Sequence, residues 1–414
     1  MVARISPFIA EGTVDAPPSK SVAQRYLILA ALSKGKTVVE NCGNSDDVAV
    51  VIKNLARLGA KIETDGNNAT VYGVEIPPKK AELDFGESGF AMRSLIPVAA
   101  ALGTECTFIT SGRLSLRPLS SLFVAFKGGV KATDGGFSGK LESGDYEIEC
   151  GESSQFLSGL IIALAAVKGK STVKLKGEKV SFGYVLTTIA ALEKFGVRTI
   201  VGCDEITVFG GEIKSPRKVI TEGDFSAAAN LLALGALGKS VTVNGLDVNS
   251  KQPDRAIIDI LKDYGANVEA KENSITVRGG ERRAITFSCE NAPDLALIVA
   301  ALAAYADGES VIKRADRLTT KESDRAEAII KTLTCSGIKT ERRGDEIFVF
   351  GGKPRGGVYA AIPGHRVVMA QSVLASSAEG QSEISCAECV NKSFPEFFGA
   401  LKLAGGNDYV NIQR

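Results

Sequence analysis

The sequence predicts a layered α/β protein of two similar domains, each with three helices buried inside it. Three observations lead there. The chain repeats itself six times at a spacing of about seventy residues. Each copy opens with a helical run that is apolar on every side, such as RYLILAALS, FLSGLIIALAAV or DLALIVAALAAYA, and a helix without a polar face is buried all round. Each copy then adds an amphipathic helix, as in VVIKNLARLG and AIIDILKDYG, and alternating strands such as TVVEN, STVKLKG and VTVNG.

Taken in order, the apolar runs begin near Tyr26, Ala91, Phe156, Ser226, Leu295 and Val367, and they end at Gly35, Gly103, Gly169, Gly238, Gly308 and Gly380. The second helices close at a further glycine and lead into a strand or hairpin: LARLGAKIETD, AFKGGVKATD, LEKFGVRTIV, LKDYGANVEA, LTCSGIKTER and a shortened LKLAGGNDYV. Six copies divide into three plus three. Pro17-Pro18 precedes the first copy, and the proline- and glycine-bearing stretch Gly210 to Gly223 separates the third from the fourth. The expected domains are therefore 19–221, and 1–18 together with 222–414, with the strand-like segment 2–14 docking on the C-terminal domain.

At 414 residues the chain is too long for one core. A net charge of +1 argues against nucleic-acid binding, which brings a large basic excess, so any anion site must come from local clusters of cations. No apolar run reaches the roughly 18–20 residues of a membrane span, and MVARISPFIAEG has no signal-peptide core, so a cytoplasmic protein with no membrane partner is expected. Of the eight cysteines only Cys386 and Cys389 are close, with no second ligand pair nearby, so reduced thiols and no metal are expected. Gly169-Lys170-Ser171 and Gly238-Lys239-Ser240 end helices rather than begin them, the wrong polarity for a phosphate loop. No G-x-S-x-G elbow supports a serine hydrolase.

Charge interrupts the repeat at the helix entries. Ser19-Lys20-Ser21, Gly86-Glu87-Ser88-Gly89, Glu152-Ser153-Ser154-Gln155, Glu222-Gly223-Asp224, Asn291-Ala292-Pro293-Asp294 and Pro363-Gly364-His365-Arg366 precede the buried helices. Ser19, Ser88 and Asp224 are natural N-caps. Capping does not explain Lys20, Arg25, Arg93 or Arg366, because cations are disfavoured at the positive end of a helix dipole unless an anion sits in front of it. The second helices start with Arg117, Ser181 and Tyr184, Lys321-Glu322-Ser323-Asp324-Arg325, and Lys392. If these starts converge on one cleft, the ligands carry several negative charges, as phosphates and carboxylates do. Asp294 and Glu322 are the candidate proton-transfer acids; Asp294, at a helix entry after a proline, is expected to be partly desolvated with its pKa free to rise. His365 is the single histidine and a candidate proton or hydrogen-bond donor.

PPSKSVAQRYLILAALSKG, the stretch Gly86–Arg93, LRPL at 116–119, SSQF at 153–156, EGDFS at 222–226, PD at 293–294, KESDR at 321–325, HR at 365–366 and NKSFPEFF at 391–398 occur in this order. Together they resemble the 5-enolpyruvylshikimate-3-phosphate synthase family over essentially the whole chain. The resemblance implies an enolpyruvyl transferase fold: two domains, each of three βαβαββ-type units with buried parallel helices, closing on substrate. It implies transfer of the carboxyvinyl group of phosphoenolpyruvate to the 5-hydroxyl of shikimate 3-phosphate, without cofactor, by a monomer. By motif match, Lys20, Ser21, Arg25, Ser153, Ser154, Gln155, Ser181, Tyr184, Asp294 and Lys321 hold shikimate 3-phosphate. Lys20, Gly89, Arg93, Arg117, Gln155, Arg325, Arg366 and Lys392 hold phosphoenolpyruvate, and Asp294, Glu322, Lys20 and His365 share the proton transfers.

The chain departs from the family pattern at Glu87-Ser88-Gly89-Phe90, commonly Asn-Ala-Gly-Thr, which puts a bulky Phe90 beside the expected phosphoenolpyruvate pocket. It also has Gly364 for a usual Asp and Arg317 where some members have Asn. The sister transferase acting on UDP-N-acetylglucosamine carries a cysteine in the loop matching residues 110–119 and Lys-Asn in the first motif; here that loop has no cysteine and the motif is Lys20-Ser21. A non-catalytic repeat scaffold would explain the repeats but not the cations at the helix starts.

Overall fold

The computed structural model describes residues 1–117, 119–126, 129–319 and 323–413. The chain forms two compact units, Pro18–Thr221 and Met1–Pro17 with Glu222–Arg414. Among the described residues no helix is long and apolar enough to cross a membrane.

Unit Pro18–Thr221 contains α1 (Lys20–Leu32), α2 (Asp46–Arg57), α3 (Gly89–Leu102), α4 (Ser120–Ala125), α5 (Ser154–Ala166) and α6 (Gly183–Lys194). Its third repeat shows the plan. Strand Asp145–Glu149 runs through α5 to the parallel strand Gly169–Lys176, then through α6 to the antiparallel hairpin Arg198–Val201 and Glu205–Gly210. Parallel neighbours need a crossover, and here the crossover is the buried helix. The result is a βαβαββ unit with a four-stranded sheet, and the second repeat uses the same strand order. The first repeat has no strand of its own ahead of α1. Lys218–Ile220, arriving from the end of the unit, fills that place beside Lys36–Glu40.

Unit Met1–Pro17 with Glu222–Arg414 contains α7 (Phe225–Leu237), α8 (Ile257–Tyr264), α9 (Ala296–Ala303), α10 (Arg325–Cys335), α11 (His365–Ser376) and α12 (Phe397–Leu401). Every residue of α7, α9 and α11 is buried, whereas α8 buries only Ile257, Ile258, Ile260, Leu261 and Tyr264. The N-terminal segment supplies two strands. Glu11–Asp15 lies parallel to Ser240–Asn244, and Val2–Ile5 lies between Ser382–Ser385 and Val410–Gln413.

Five of the six buried helices begin ahead of the apolar runs, while α9 starts at Ala296, behind the 3₁₀ turn Pro293–Leu295. α1 starts at Lys20, six residues before Tyr26, because Ser19 caps it by accepting from the Val22 N–H at 3.4 Å. Its polar first turns are thus helical, and Gln24 and Arg25 are buried with the apolar residues that follow. Of the six repeat-closing glycines, five adopt positive φ, while Gly238, at φ −103°, is required by the backbone of Ala10, which would lie 2.7 Å from any Cβ. Gly159 lets α5 approach α3 so closely that a Cβ there would overlap the Arg93 carbonyl.

Candidate functional site

In unit Pro18–Thr221 the predicted residues gather at the starts of α1, α3, α5 and α6. Arg25, one turn into α1, is 2% exposed. It donates from Nε to Thr188 Oγ1 at 2.7 Å, from Nη1 to the Ser21 carbonyl at 2.7 Å and from Nη2 to the Tyr184 carbonyl at 3.0 Å. Thr188 Oγ1 lies 3.0 Å from Ser158 Oγ, so Arg25 joins α1 to both α5 and α6. Ser181 holds a left-handed φ of 54° just before α6, and its carbonyl accepts from the Tyr184 N–H. Lys20 pairs with Asp47 at 2.6 Å. Asp47 opens α2, whose buried Asn54 makes a two-way amide pairing with the backbone of Asp84 and so fixes the strand that leads to α3.

At the start of α3 two guanidiniums converge on Gly89. A Cβ there would stand 2.7 Å from Arg117 Nη1 and 3.0 Å from Arg93 Nη1. Arg93 donates to Gln155 Oε1 at 2.8 Å, and its guanidinium carbon lies 4.8 Å from the Phe156 ring centre. Ser153 caps α5 by accepting from the Gln155 N–H at 3.3 Å, and Ser154 is buried beside it. Ser88 occupies the cap position of α3 without making the capping bond, so for this serine capping is not the explanation. Glu87 rests on the turn that carries Arg117, since a Cβ at Gly112 would fall onto its carboxylate.

The electrostatics of this unit are lopsided. Arg25 and Arg93 are 2% and 3% exposed, and neither has a carboxylate ion-pair partner among the described residues. Burial lowers the Arg25 guanidinium to about 9. Burial, and then the neighbouring charge of Arg117, lowers Arg93 to about 9. Both remain cations at neutral pH, Arg93 with only the more distant charge of Glu152 to favour it, and a buried cation without a close ion-pair partner is costly until an anion arrives.

The other unit compensates its cations internally. Asp294 lies in a 3₁₀ turn, Pro293–Leu295, ahead of α9. It accepts from Arg325 Nη1 at 2.6 Å and from Arg366 Nη2 at 2.5 Å. The sequence led us to expect a partly desolvated carboxylate; its side chain is 22% exposed and is shared between two guanidiniums. His365 is the first residue of α11 and is 1% exposed. Lys392 ends the 3₁₀ turn Ala387–Lys392 and is half-buried. Arg317 donates to the carbonyls of Cys289 and Glu290, which ties it to the backbone ahead of Asp294. Asp324 caps α10 through the Glu327 N–H. Lys321 and Glu322 lie outside the described residues.

Two participants, Asp47 and Thr188, escaped the sequence reading, because nothing local marks them as the partners of Lys20 and Arg25. Phe90, expected to crowd a pocket, stacks on Arg25 with 4.4 Å between guanidinium carbon and ring centre. Among the described residues no cluster of three or more His, Cys, Asp or Glu side chains suits a metal ion.

The family model of EPSP synthase (3-phosphoshikimate 1-carboxyvinyltransferase) matches residues 8–401. A 3-phosphoshikimate 1-carboxyvinyltransferase of Clostridium kluyveri is 38% identical over 413 residues, covering 97% of each chain. One from Thermococcus kodakarensis is 36% identical over 400 residues, 94% of this chain and 96% of the relative. In fold, the EPSP synthase of Acinetobacter baumannii superposes with a TM-score of 0.84 at 23% identity over 100% of both chains. The enolpyruvyl transferase NikO of Streptomyces tendae does so with a TM-score of 0.76 at 16% identity, over 98% of this chain and 97% of its own. A match that spans nearly all of the sequence, with relatives this similar end to end, establishes that the chain belongs to the EPSP synthase (3-phosphoshikimate 1-carboxyvinyltransferase) family.

Proposed function

We propose that Arg25, with Ser21, Ser153, Ser154, Ser181 and Tyr184, holds shikimate 3-phosphate, and that Arg93 and Arg117 beside Gly89 hold phosphoenolpyruvate. The reaction is transfer of the carboxyvinyl group of phosphoenolpyruvate to the 5-hydroxyl of shikimate 3-phosphate, with release of phosphate. The observation that carries the residue assignment is the pair of buried guanidiniums, Arg25 and Arg93, that form no ion pair with a carboxylate among the described residues. Anionic substrates supply the missing charge, and bidentate donors suit phosphate and carboxylate oxygens. Its bond to Arg93 and its position next to the Ser153–Ser154 pair support a role for Gln155 toward both substrates.

The chemistry needs two opposite proton movements. The 5-hydroxyl oxygen bonds to C2 of phosphoenolpyruvate and loses its proton, while the methylene carbon gains one and becomes a methyl group. The tetrahedral adduct then loses phosphate from C2 and a proton from the methyl group, which restores the double bond in the product. Asp294, held between Arg325 and Arg366, takes the hydroxyl proton, and the pairing fixes its direction. Lys20, paired with the Asp47 carboxylate at 2.6 Å, donates a proton to the methylene. Glu322 is the other donor, Lys321 and Lys392 add cations for the substrates, and His365 adds a hydrogen-bond donor.

Phosphate release, measured with phosphoenolpyruvate plus shikimate 3-phosphate, tests the reading. Turnover is expected with shikimate 3-phosphate and not with UDP-N-acetylglucosamine. The reverse pattern, or no release with either, contradicts it.

A further inference from the structure

We infer that Phe90 is a positioning residue for the acceptor substrate: its ring holds the Arg25 guanidinium in the one orientation that presents its remaining donors to shikimate 3-phosphate. The inference rests on the assignment of Arg25 to that substrate.

A guanidinium has five N–H donors in one plane. Three of those on Arg25 are fixed on the protein, one each from Nε, Nη1 and Nη2. That leaves one N–H on each terminal nitrogen, and these two are the donors a ligand can use. Two of the three fixed bonds end on backbone carbonyls, of Ser21 and Tyr184, and the N–H donors of a guanidinium all lie in its plane. In-plane bonds set where the edge points, but they resist tilting of the plane only weakly. A surface against the face supplies that resistance, and the Phe90 ring does so at 4.4 Å.

Phe90 comes from a different element, the first turn of α3, directly after Gly89. Its ring is partly buried against the apolar core of the unit, so its own position is fixed. It also removes water from one face of a cation that is already 2% exposed, leaving the unused donors as the remaining outlet for the charge. A smaller side chain at position 90 would leave that face open and the plane free to rock. The ring therefore acts on acceptor affinity through Arg25, without touching the acceptor, although it sits next to the glycine on which Arg93 and Arg117 converge.

The test is calorimetric titration of the full-length protein with shikimate 3-phosphate in the absence of phosphoenolpyruvate, on wild type, Phe90→Leu, Phe90→Tyr and Arg25→Lys, with thermal midpoints recorded for each. Losing a desolvated cation–π contact is expected to weaken acceptor binding about three- to tenfold in Phe90→Leu. Phe90→Tyr keeps the ring face and should bind within about twofold of wild type, even if its thermal midpoint moves as much as that of Phe90→Leu. A ring that only filled space would not give this split between affinity and stability. Wild-type affinity in Phe90→Leu, or a loss in Phe90→Tyr equal to that in Phe90→Leu, overturns the inference. Arg25→Lys keeps the charge but loses the fork, and unchanged affinity there overturns the substrate assignment itself.

Discussion

Replacing Asp294 by asparagine separates its contacts as a counter-ion from its proposed role as the base. The carboxylate receives donors at 2.6 Å from Arg325 and 2.5 Å from Arg366, whose side chains are 5% and 8% exposed, and its own side chain is 22% exposed. Hydrogen bonds to charged groups contribute about 1.5–3 kcal/mol each, so the pair contributes about 3–6 kcal/mol. A carboxamide keeps one acceptor but turns an N–H toward the second guanidinium and removes the carboxylate charge that both cations share, which places the cost at about 3–5 kcal/mol. In a unit of about 200 residues each kcal/mol moves the thermal midpoint about 2–4 °C, so Asp294→Asn should lower the transition of its unit by about 6–20 °C. Scanning calorimetry reads this directly. Turnover by phosphate release should fall at least about a hundredfold, the scale of a lost general base, while shikimate 3-phosphate binding is largely retained. A midpoint within about 1 °C of wild type would refute the counter-ion argument. Unchanged turnover would remove Asp294 as the base.

Other perturbations address the second unit. Gly89→Ala places a Cβ 2.7 Å from Arg117 Nη1 and 3.0 Å from Arg93 Nη1. Both guanidiniums must shift, and the KM for phosphoenolpyruvate should rise about tenfold with little change in thermal midpoint; steady-state kinetics that show no rise would rule out convergence on that substrate. Asp47→Asn leaves Lys20, 12% exposed, without its carboxylate, and kcat should drop about ten- to a hundredfold in a phosphate-release assay, with Asp47→Glu recovering part of it. Burial pushes the thiols of Cys42, Cys106 and Cys150 from an ordinary 9.0 to about 11, 12 and 11. Because these folded-state values are raised, their contribution is fully present below pH 9.0 and is lost as pH rises through about 11 to 12. A thiol reagent at neutral pH should therefore label the exposed Cys203 and Cys335 well before these three, and the unfolding midpoint should decline only above pH 9.0; equal labelling rates would contradict the burial.

The repeat made the alternation of buried helix, amphipathic helix and strands legible, because periodicity is a local property. Lys218–Ile220 was not legible as the opening strand of the first sheet. Three residues carry no period, and their partner, Lys36–Glu40, is far away in sequence. Helix starts were displaced for a related reason. The apolar run from Tyr26 marks where α1 meets the core, while Ser19 decides where it begins. At the site, cations at helix entries could be singled out because they oppose the helix dipole. Which of them already had a carboxylate could not, since Lys20 with Asp47 and Arg366 with Asp294 are tertiary pairings between separate helices or turns. The stacking of Phe90 on Arg25 was hidden in the same way, as a contact between α3 and α1.

The proposed division of labour between the two buried guanidiniums is tested most directly by a crossed kinetic measurement. KM for each substrate is determined by phosphate release for wild type, Arg25→Lys and Arg93→Lys, both substitutions keeping the charge but not the bidentate fork. Arg25→Lys should raise the KM for shikimate 3-phosphate at least about tenfold and leave that for phosphoenolpyruvate within about threefold, and Arg93→Lys should do the reverse. Equal effects on both substrates from each variant, or no effect on either, would contradict the assignment.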